Sequence, residues 1–182
     1  MNLISSIVDQ PTYETERMVL RPIRKSDVGL IEFYASDIRI AAPMLTIPHP
    51  MPPGAAEAFV EACISDIPKD VVWVLDGSAY DMPEVLGTIG MKPLDRDQVE
   101  IGYWLGPAFW QMGLAREAIS RLLAENPLGC RTVFAEVLQN NLKSARLLTD
   151  LGFDFLGDAE TFCLAKDAVL PTWTYSLTTE IA

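Results

Sequence analysis

Phe109 to Ile119 reads FWQMGLAREAI, directly after the strand-like run EIGYWLG (Glu100 to Gly106). A helix that only packs against a sheet has no need of small residues in its first turn. A helix that receives a phosphate does. The first turn of a helix leaves N–H groups unpaired and carries a partial positive charge, and together these bind anions. Gly113 permits a turn with φ > 0 and close approach of a ligand, and Ala115 keeps the next exposed position small. The stretch lacks the GK[ST] ending of a P-loop and the GxGxxG spacing of a dinucleotide fold, so nucleotide hydrolysis and dinucleotide binding are poorly supported.

Working outward, GLAREAISRLLAEN (Gly113 to Asn126) is the best helix in the chain. Leu114, Ala115, Ala118, Ile119, Leu122 and Leu123 trace one apolar stripe, and Asn126-Pro127 stops it. RTVFAEVL predicts a strand. NNLKSARLLTDLG predicts a helix capped by Asn140 or Asn141, with Gly152 just past its end. Upstream, VVWVL (Val71 to Leu75), EVLGTIGM (Glu84 to Met91) and QVEIGYWLG (Gln98 to Gly106) predict an antiparallel meander. TERMVLRPI (Thr15 to Ile23) predicts an opening strand. KSDVGLIEFYAS predicts a short helix started by Ser26 or Asp27, and AAEAFVEACISDI another. The proline-dense IPHPMPPG between those helices is a loop. FDFLG and TWTYSLTTEI (Thr172 to Ile181) close the chain as strands.

A meander joined to a βαβ crossover calls for an α+β fold: a mixed, mostly antiparallel sheet of six to seven strands with helices on both faces. The 182 residues, 49% of them apolar, suit a single domain spanning 1–182, with 1–13 a loose N-terminal extension.

Charge and cysteine usage narrow the function classes. Fourteen Lys and Arg against 25 Asp and Glu leave −11, which repels a phosphate backbone and argues against nucleic acid. No apolar run approaches the roughly 20 residues of a membrane span. The first residues show no basic segment followed by a long apolar one, so no signal peptide is expected. Cys63, Cys130 and Cys163 are odd in number with no CxxC spacing. They fit a reduced, cytoplasmic setting and inert burial better than disulfides or a metal site.

Taken in order and spacing, TERMVLRPIRKSD, EIGYWLGPAFWQMGLAREAI, VLQNNLKSARLLTDLGF and WTYSL resemble the GNAT superfamily of acyl-CoA-dependent N-acetyltransferases. The closer likeness is to its RimJ/RimL branch of ribosomal-protein N-terminal acetyltransferases, over roughly Thr15 to Glu180. The resemblance implies the GNAT fold and acetyl-CoA as cosubstrate. It implies a cofactor loop running from Trp110 and Gln111 through Met112, Gly113, Leu114 and Ala115 to Arg116, with the N–H groups of Met112 to Ala115 cradling the diphosphate. The backbone of Tyr103, Trp104 and Leu105 would run along the pantetheine beside a splayed neighbouring strand. Asn141 would bond pantetheine, and Ser144 would lie near the sulfur. Trp110 stands where many members have Arg or Gln, but the RimJ/RimL branch commonly has an aromatic there. Met112 stands where a basic residue is common. Arg116 either compensates or is a solvated surface residue.

Acyl transfer to an amine needs a neutral nucleophile, a polarised carbonyl and a proton for the leaving thiolate. Strand alternation puts Glu100, Gly102 and Trp104 on one face. Glu100 is thus the candidate general base, its alternative a solvated strand-start glutamate. Backbone N–H groups near Trp104 and Leu105 would polarise the thioester. Ser144 either supports the departing sulfur or is a first-turn helix residue, and the helix NNLKSARLLTDLG contains no tyrosine for that task. His49, in its proline-rich loop, and Trp73 are the substrate-contact candidates, the alternative for Trp73 being core packing. The Asp76, Asp81 and Glu84 group reads as a solvated turn.

The expected activity is transfer of acetyl from acetyl-CoA to an amine acceptor, a peptide N-terminus or a small amine. The alternatives are a non-catalytic acyl-CoA-binding module and an acidic interaction domain. A homodimer is plausible, and no nucleic-acid or membrane partner is expected.

Overall fold

The computed structural model describes residues 10–179. In chain order its elements are β1 (Tyr13–Glu14), β2 (Val19–Pro22), α1 (Val28–Ala35), α2 (Ile38–Ala41), α3 (Ala55–Cys63), β3 (Val71–Asp76) and β4 (Gly87–Leu94). There follow β5 (Gln98–Leu105), α4 (Leu114–Glu125), β6 (Thr132–Leu138), α5 (Leu142–Asp150), β7 (Asp154–Cys163) and β8 (Ala168–Thr178). All eight strands join one sheet in the order β1-β2-β3-β4-β5-β6-β8-β7, and only the β5–β6 pair is parallel. The expected mixed, mostly antiparallel sheet is therefore present, with eight strands in place of six or seven.

The extra strand lies just before the first motif. TERMVLRPI is not a strand throughout: Thr15 to Met18 form a tight turn closed by the Thr15 N–H on the Met18 carbonyl at 2.9 Å, and β2 begins only at Val19. The two-residue β1 before the turn then pairs with β2 after it. EVLGTIGM enters the ladder only at Gly87. Of the expected loose extension, residues 1–9 lie outside the described residues. Gln10 donates to the Val72 carbonyl at 2.8 Å, and the Pro11 carbonyl accepts from the Trp73 indole at 2.9 Å. The end of the last expected strand, at residues 180 and 181, also lies outside the described residues.

Two apolar clusters sandwich the sheet. Leu114, Ala118, Ile119 and Leu122 of α4 and Ala145 and Leu148 of α5 pack with Met18, Trp73, Ile89, Ile101 and Val133 on one face. Ile31 of α1, Ile40 of α2 and Ala56 and Val60 of α3 pack with Ile23, Val74, Val85 and Trp104 on the other. Strand alternation divides β5 between them: Val99, Ile101 and Leu105 face the α4–α5 layer, while Trp104, and with it Glu100, faces α1–α3. Among the described residues no helix is long and apolar enough to cross a membrane.

One charge is buried where sequence reasoning expected solvent. Arg21 of β2 is 3% exposed and grips Asp27 with both terminal nitrogens, at 2.9 and 2.8 Å, and Asp76 with Nε at 2.6 Å. Asp27 and Asp76 are themselves buried. Asp76 is thus not part of a solvated turn; it ends β3 beneath the turn and accepts from the Ser78 N–H at 2.9 Å. Burial pushes its carboxyl up, yet Ser78 and Arg21 hold it below the ordinary aspartate value.

Candidate active site

The site begins where a ladder ends. β5 and β6 pair only at Gln98–Thr132, Val99–Val133 and Glu100–Phe134, whereas β5 pairs with β4 along its whole length. From Ile101 to Leu105 one edge of β5 therefore has no strand partner, and the same holds for the facing edge of β6 from Ala135 to Leu138. A backbone edge left open in this way must find hydrogen bonds elsewhere, from water or a ligand. One of its carbonyls is already taken: the Trp110 indole donates to Leu105 O at 2.8 Å and ties the following loop to the end of β5. This explains an aromatic at 110 without assigning it a phosphate contact.

The gap leads to the N-terminus of α4. Gly113 is its N-cap at φ +80°, Gln111 lies at φ +63°, and no side chain caps the helix. The first helical bond runs from Glu117 N to Gly113 O, so the N–H groups of the first turn are left for another acceptor. The neighbouring helix is the contrast. Asn141 caps α5 by accepting from Ser144 N at 3.3 Å, which occupies its oxygen and leaves its amide N–H groups as donors. Gln111, Met112 and Gly113 are exposed and Ala115 is half-buried, so the loop is open to solvent. The Leu114 side chain is fully buried, leaving only its backbone to face the loop.

The guanidinium at this loop is not the anticipated one. Arg116 turns to α5 and pairs with Asp150 at 2.8 Å, both groups nearly half exposed. Arg17 instead reaches the loop from the β1–β2 turn. Its Nη1 donates to Met112 O at 2.7 Å, and its Nη2 lies 3.3 Å from where a Cβ on Gly113 would stand. Glu117 holds it there: Oε2 takes Nε and Nη2 at 2.8 Å each, while Oε1 takes Thr15 Oγ1 at 2.6 Å and Arg17 N at 2.8 Å. Burial pushes the Glu117 carboxyl up, but these four donors outweigh it and hold it below the ordinary glutamate value. The motif TER carried the signal, since a lone arginine beside a turn has no local partner.

The two faces of the gap carry different chemistry. On the α4–α5 face the Tyr103 hydroxyl is buried beside Ser144, without a partner at hydrogen-bond geometry among the described residues. Burial pushes this phenol above its ordinary value, and Ser144 offsets part of the rise. On the α1–α3 face stands Glu100, half-buried, with Lys92 of β4 across from it at 3.8 Å. Sequence reasoning missed Glu136 on the same face of β6. Its Oε1 accepts from Thr172 Oγ1 at 2.6 Å and from Thr161 Oγ1. The signal was an acid in mid-strand of TVFAEVL. His49 is half-buried in the loop between α2 and α3, with its Nδ1 enclosed and unpartnered among the described residues.

Trp73 is not a substrate contact. It is 0% exposed in the middle of β3, packed under α4 with its indole N–H spent on Pro11. The run VVWVL is buried at every position, so no face of it lines a cleft.

Residues 17–154 match the family described as acetyltransferase (GNAT) domain. The chain is 28% identical over 177 residues to an uncharacterized N-acetyltransferase p20 of Bacillus licheniformis, covering 91% of this chain and 95% of that one. Among solved structures it superposes on Mycobacterium smegmatis RimJ in complex with CoA-disulfide. There the TM-score is 0.77 at 17% identity, covering 92% of this chain and 87% of that one. It also superposes on the ribosomal-protein-S5-alanine acetyltransferase from Vibrio fischeri. The TM-score is 0.71 at 20% identity, covering 94% and 98% of the two chains.

Proposed function

The chain belongs to the GNAT acetyltransferase family, and from that premise we propose that it acetylates a primary amine, in the first instance a protein N-terminal α-amino group. The donor is acetyl-CoA, which supplies an activated thioester. The observation that carries the reading is the gap between β5 and β6, which runs into the uncapped N-terminus of α4. A flexible arm ending in a diphosphate matches that shape: the open edge of Tyr103, Trp104 and Leu105 suits its amides, and the N–H groups of Gly113, Leu114 and Ala115 suit its phosphates. The N–H donors of Asn141 add a contact from α5.

Glu100 accepts the amine's proton, directly or through one water, on the face away from the donor. Backbone N–H groups near Trp104 and Leu105 polarise the thioester carbonyl. Ser144 stands on the donor side and orients the sulfur. Holding acceptor and donor on opposite faces of one gap supplies much of the rate through positioning. The choice of an α-amino group is supported by the likeness to RimJ and the ribosomal-protein-S5-alanine acetyltransferase. His49, in the loop between α2 and α3, contacts the acceptor.

Calorimetry with acetyl-CoA and CoA, followed by a panel of alanyl- and seryl-peptides, free amino acids and polyamines, tests the proposal. Wild type binds CoA, Gly113→Trp does not, and peptides turn over fastest. Glu100→Gln lowers kcat about 100-fold with CoA affinity unchanged. Faster turnover of a polyamine moves the acceptor class. Binding with no turnover of any amine favours a sensing module instead.

A further inference from the structure

A glycine inside a strand weakens it, and the structural reasons for keeping one are a left-handed backbone or the close approach of a neighbour. Gly102, in the middle of β5, has neither. Its backbone lies outside the left-handed region, and a Cβ there would meet nothing within 4 Å among the described residues beyond its chain neighbours. Alternation turns the missing side chain to the α1–α3 face, between Glu100 and Trp104. Gly90 stands opposite on β4, so this row is bare on both strands. The flanking rows are Lys92–Glu100 and Thr88–Trp104, about 13 Å apart along the strands. Val72 of β3 closes a third side, 3.4 Å from where a Cβ on Gly90 would stand. The fourth side opens on the gap, because the β5–β6 ladder ends at Glu100. Gly102 is itself exposed, so the hollow is reached from solvent.

We propose that this hollow seats the acceptor, and that Gly102 is a specificity-determining residue whose missing side chain leaves room for the carbon carrying the reacting amine. The proposal rests on the acetyltransferase reading above. A carboxylate at one end and an indole at the other suit an aliphatic primary amine: Glu100 serves the nitrogen, and Trp104 gives the carbon an apolar wall. The open side then turns the nitrogen to the gap, where the thioester is offered. A side chain at position 102 takes up that space and keeps the amine from Glu100.

Gly102→Ala and Gly102→Val test this, because the fold has room for both side chains and a strand tolerates them. Thermal unfolding, calorimetry with CoA and steady-state kinetics with the best acceptor of the panel are measured on each. Gly102→Ala raises KM for the acceptor about 10-fold, and Gly102→Val raises it further. Affinity for CoA is unchanged, and the unfolding midpoint is unchanged or higher. A lowered midpoint gives the glycine a structural task and overturns the assignment. An unchanged acceptor KM in both variants, or weaker CoA binding with acceptor KM intact, also overturns it and leaves the acetyltransferase reading standing. A wild type that turns over no amine overturns both.

Discussion

Arg17 and Glu117, 100 positions apart in the chain, form one unit: the carboxylate takes Nε and Nη2 of the guanidinium at 2.8 Å each, and the remaining Nη1 carries the Met112 carbonyl at 2.7 Å. The pair neutralises an acid in the first turn of α4 that would repel a diphosphate. It also occupies the Met112 carbonyl. With Nε and one N–H of each terminal nitrogen engaged, Arg17 positions the cradle, and two of its five N–H donors remain for a ligand.

Removing Arg17 therefore damages donor binding more than chemistry. Arg17→Ala should raise KM for acetyl-CoA about 10-fold with a smaller change in kcat, since a charge-assisted contact is lost and Glu117 stands unpaired. Arg17→Lys should recover the charge but not the fork that serves both Glu117 and Met112, giving an intermediate KM. Steady-state kinetics with a CoA titration checks this. Equal KM in all three proteins would mean that the loop holds its shape unaided.

The Arg21 cluster is a matter of stability. Asp27→Ala leaves a guanidinium that is 3% exposed without its two-pronged partner, and removal of one side of such a pair costs about 3–5 kcal/mol. Thermal unfolding should show a drop of several degrees or more. Exchanging the exposed Arg116–Asp150 pair for alanines should move the midpoint little, because such pairs are worth about 0–1 kcal/mol.

Acid should unfold the protein through the same groups. Asp76 and Glu117 both titrate below their ordinary values in the folded state. The unfolded chain binds their protons first on acidification, so their stabilisation is whole above the ordinary carboxylate range. It is lost as pH falls through the lower folded values. Stability measured by denaturant should be flat from neutral pH to about pH 5 and fall steeply below about pH 4. Glu117→Gln should shallow that fall.

Thiol chemistry should be slow. Burial pushes the Cys63 thiol up to about 12, with Asp70 adding to the rise, and burial raises Cys130 as well. At pH 8 the thiolate fraction of Cys63 is on the order of 10⁻⁴. A chromogenic disulfide reagent should release three equivalents promptly in denaturant and far less than one in the native protein over the same time. Prompt native labelling would place a cysteine at a reactive surface.

Much of the cradle was legible because its causes are local. A glycine at φ > 0, an apolar stripe at helical spacing and an asparagine cap each need only a few consecutive residues. The long β7–β8 hairpin was legible only in part. FDFLG and TWTYSLTT mark its ends, but the exposed stretch between them alternates too weakly to declare a strand. The strand assigned to TERMVLRPI starts late, at Val19, because its first four residues form a turn that an alternating pattern does not exclude. Trp73 was misplaced because an aromatic in an apolar run fits a core and a cleft equally well.

What the amino-acid order by itself determined was the set of elements around the loop, the uncapped start of α4 and the capped start of α5. Those follow from dihedral preferences and side-chain reach within one or two turns. The meeting of groups far apart in the chain was decided by tertiary structure alone: Arg17 with Glu117, Arg21 with Asp76, Tyr103 with Ser144. So was the point at which β5 and β6 part, after Glu100 and Phe134. Each depends on how the packed layers hold strands and helices against one another, and no stretch of neighbouring residues encodes that distance.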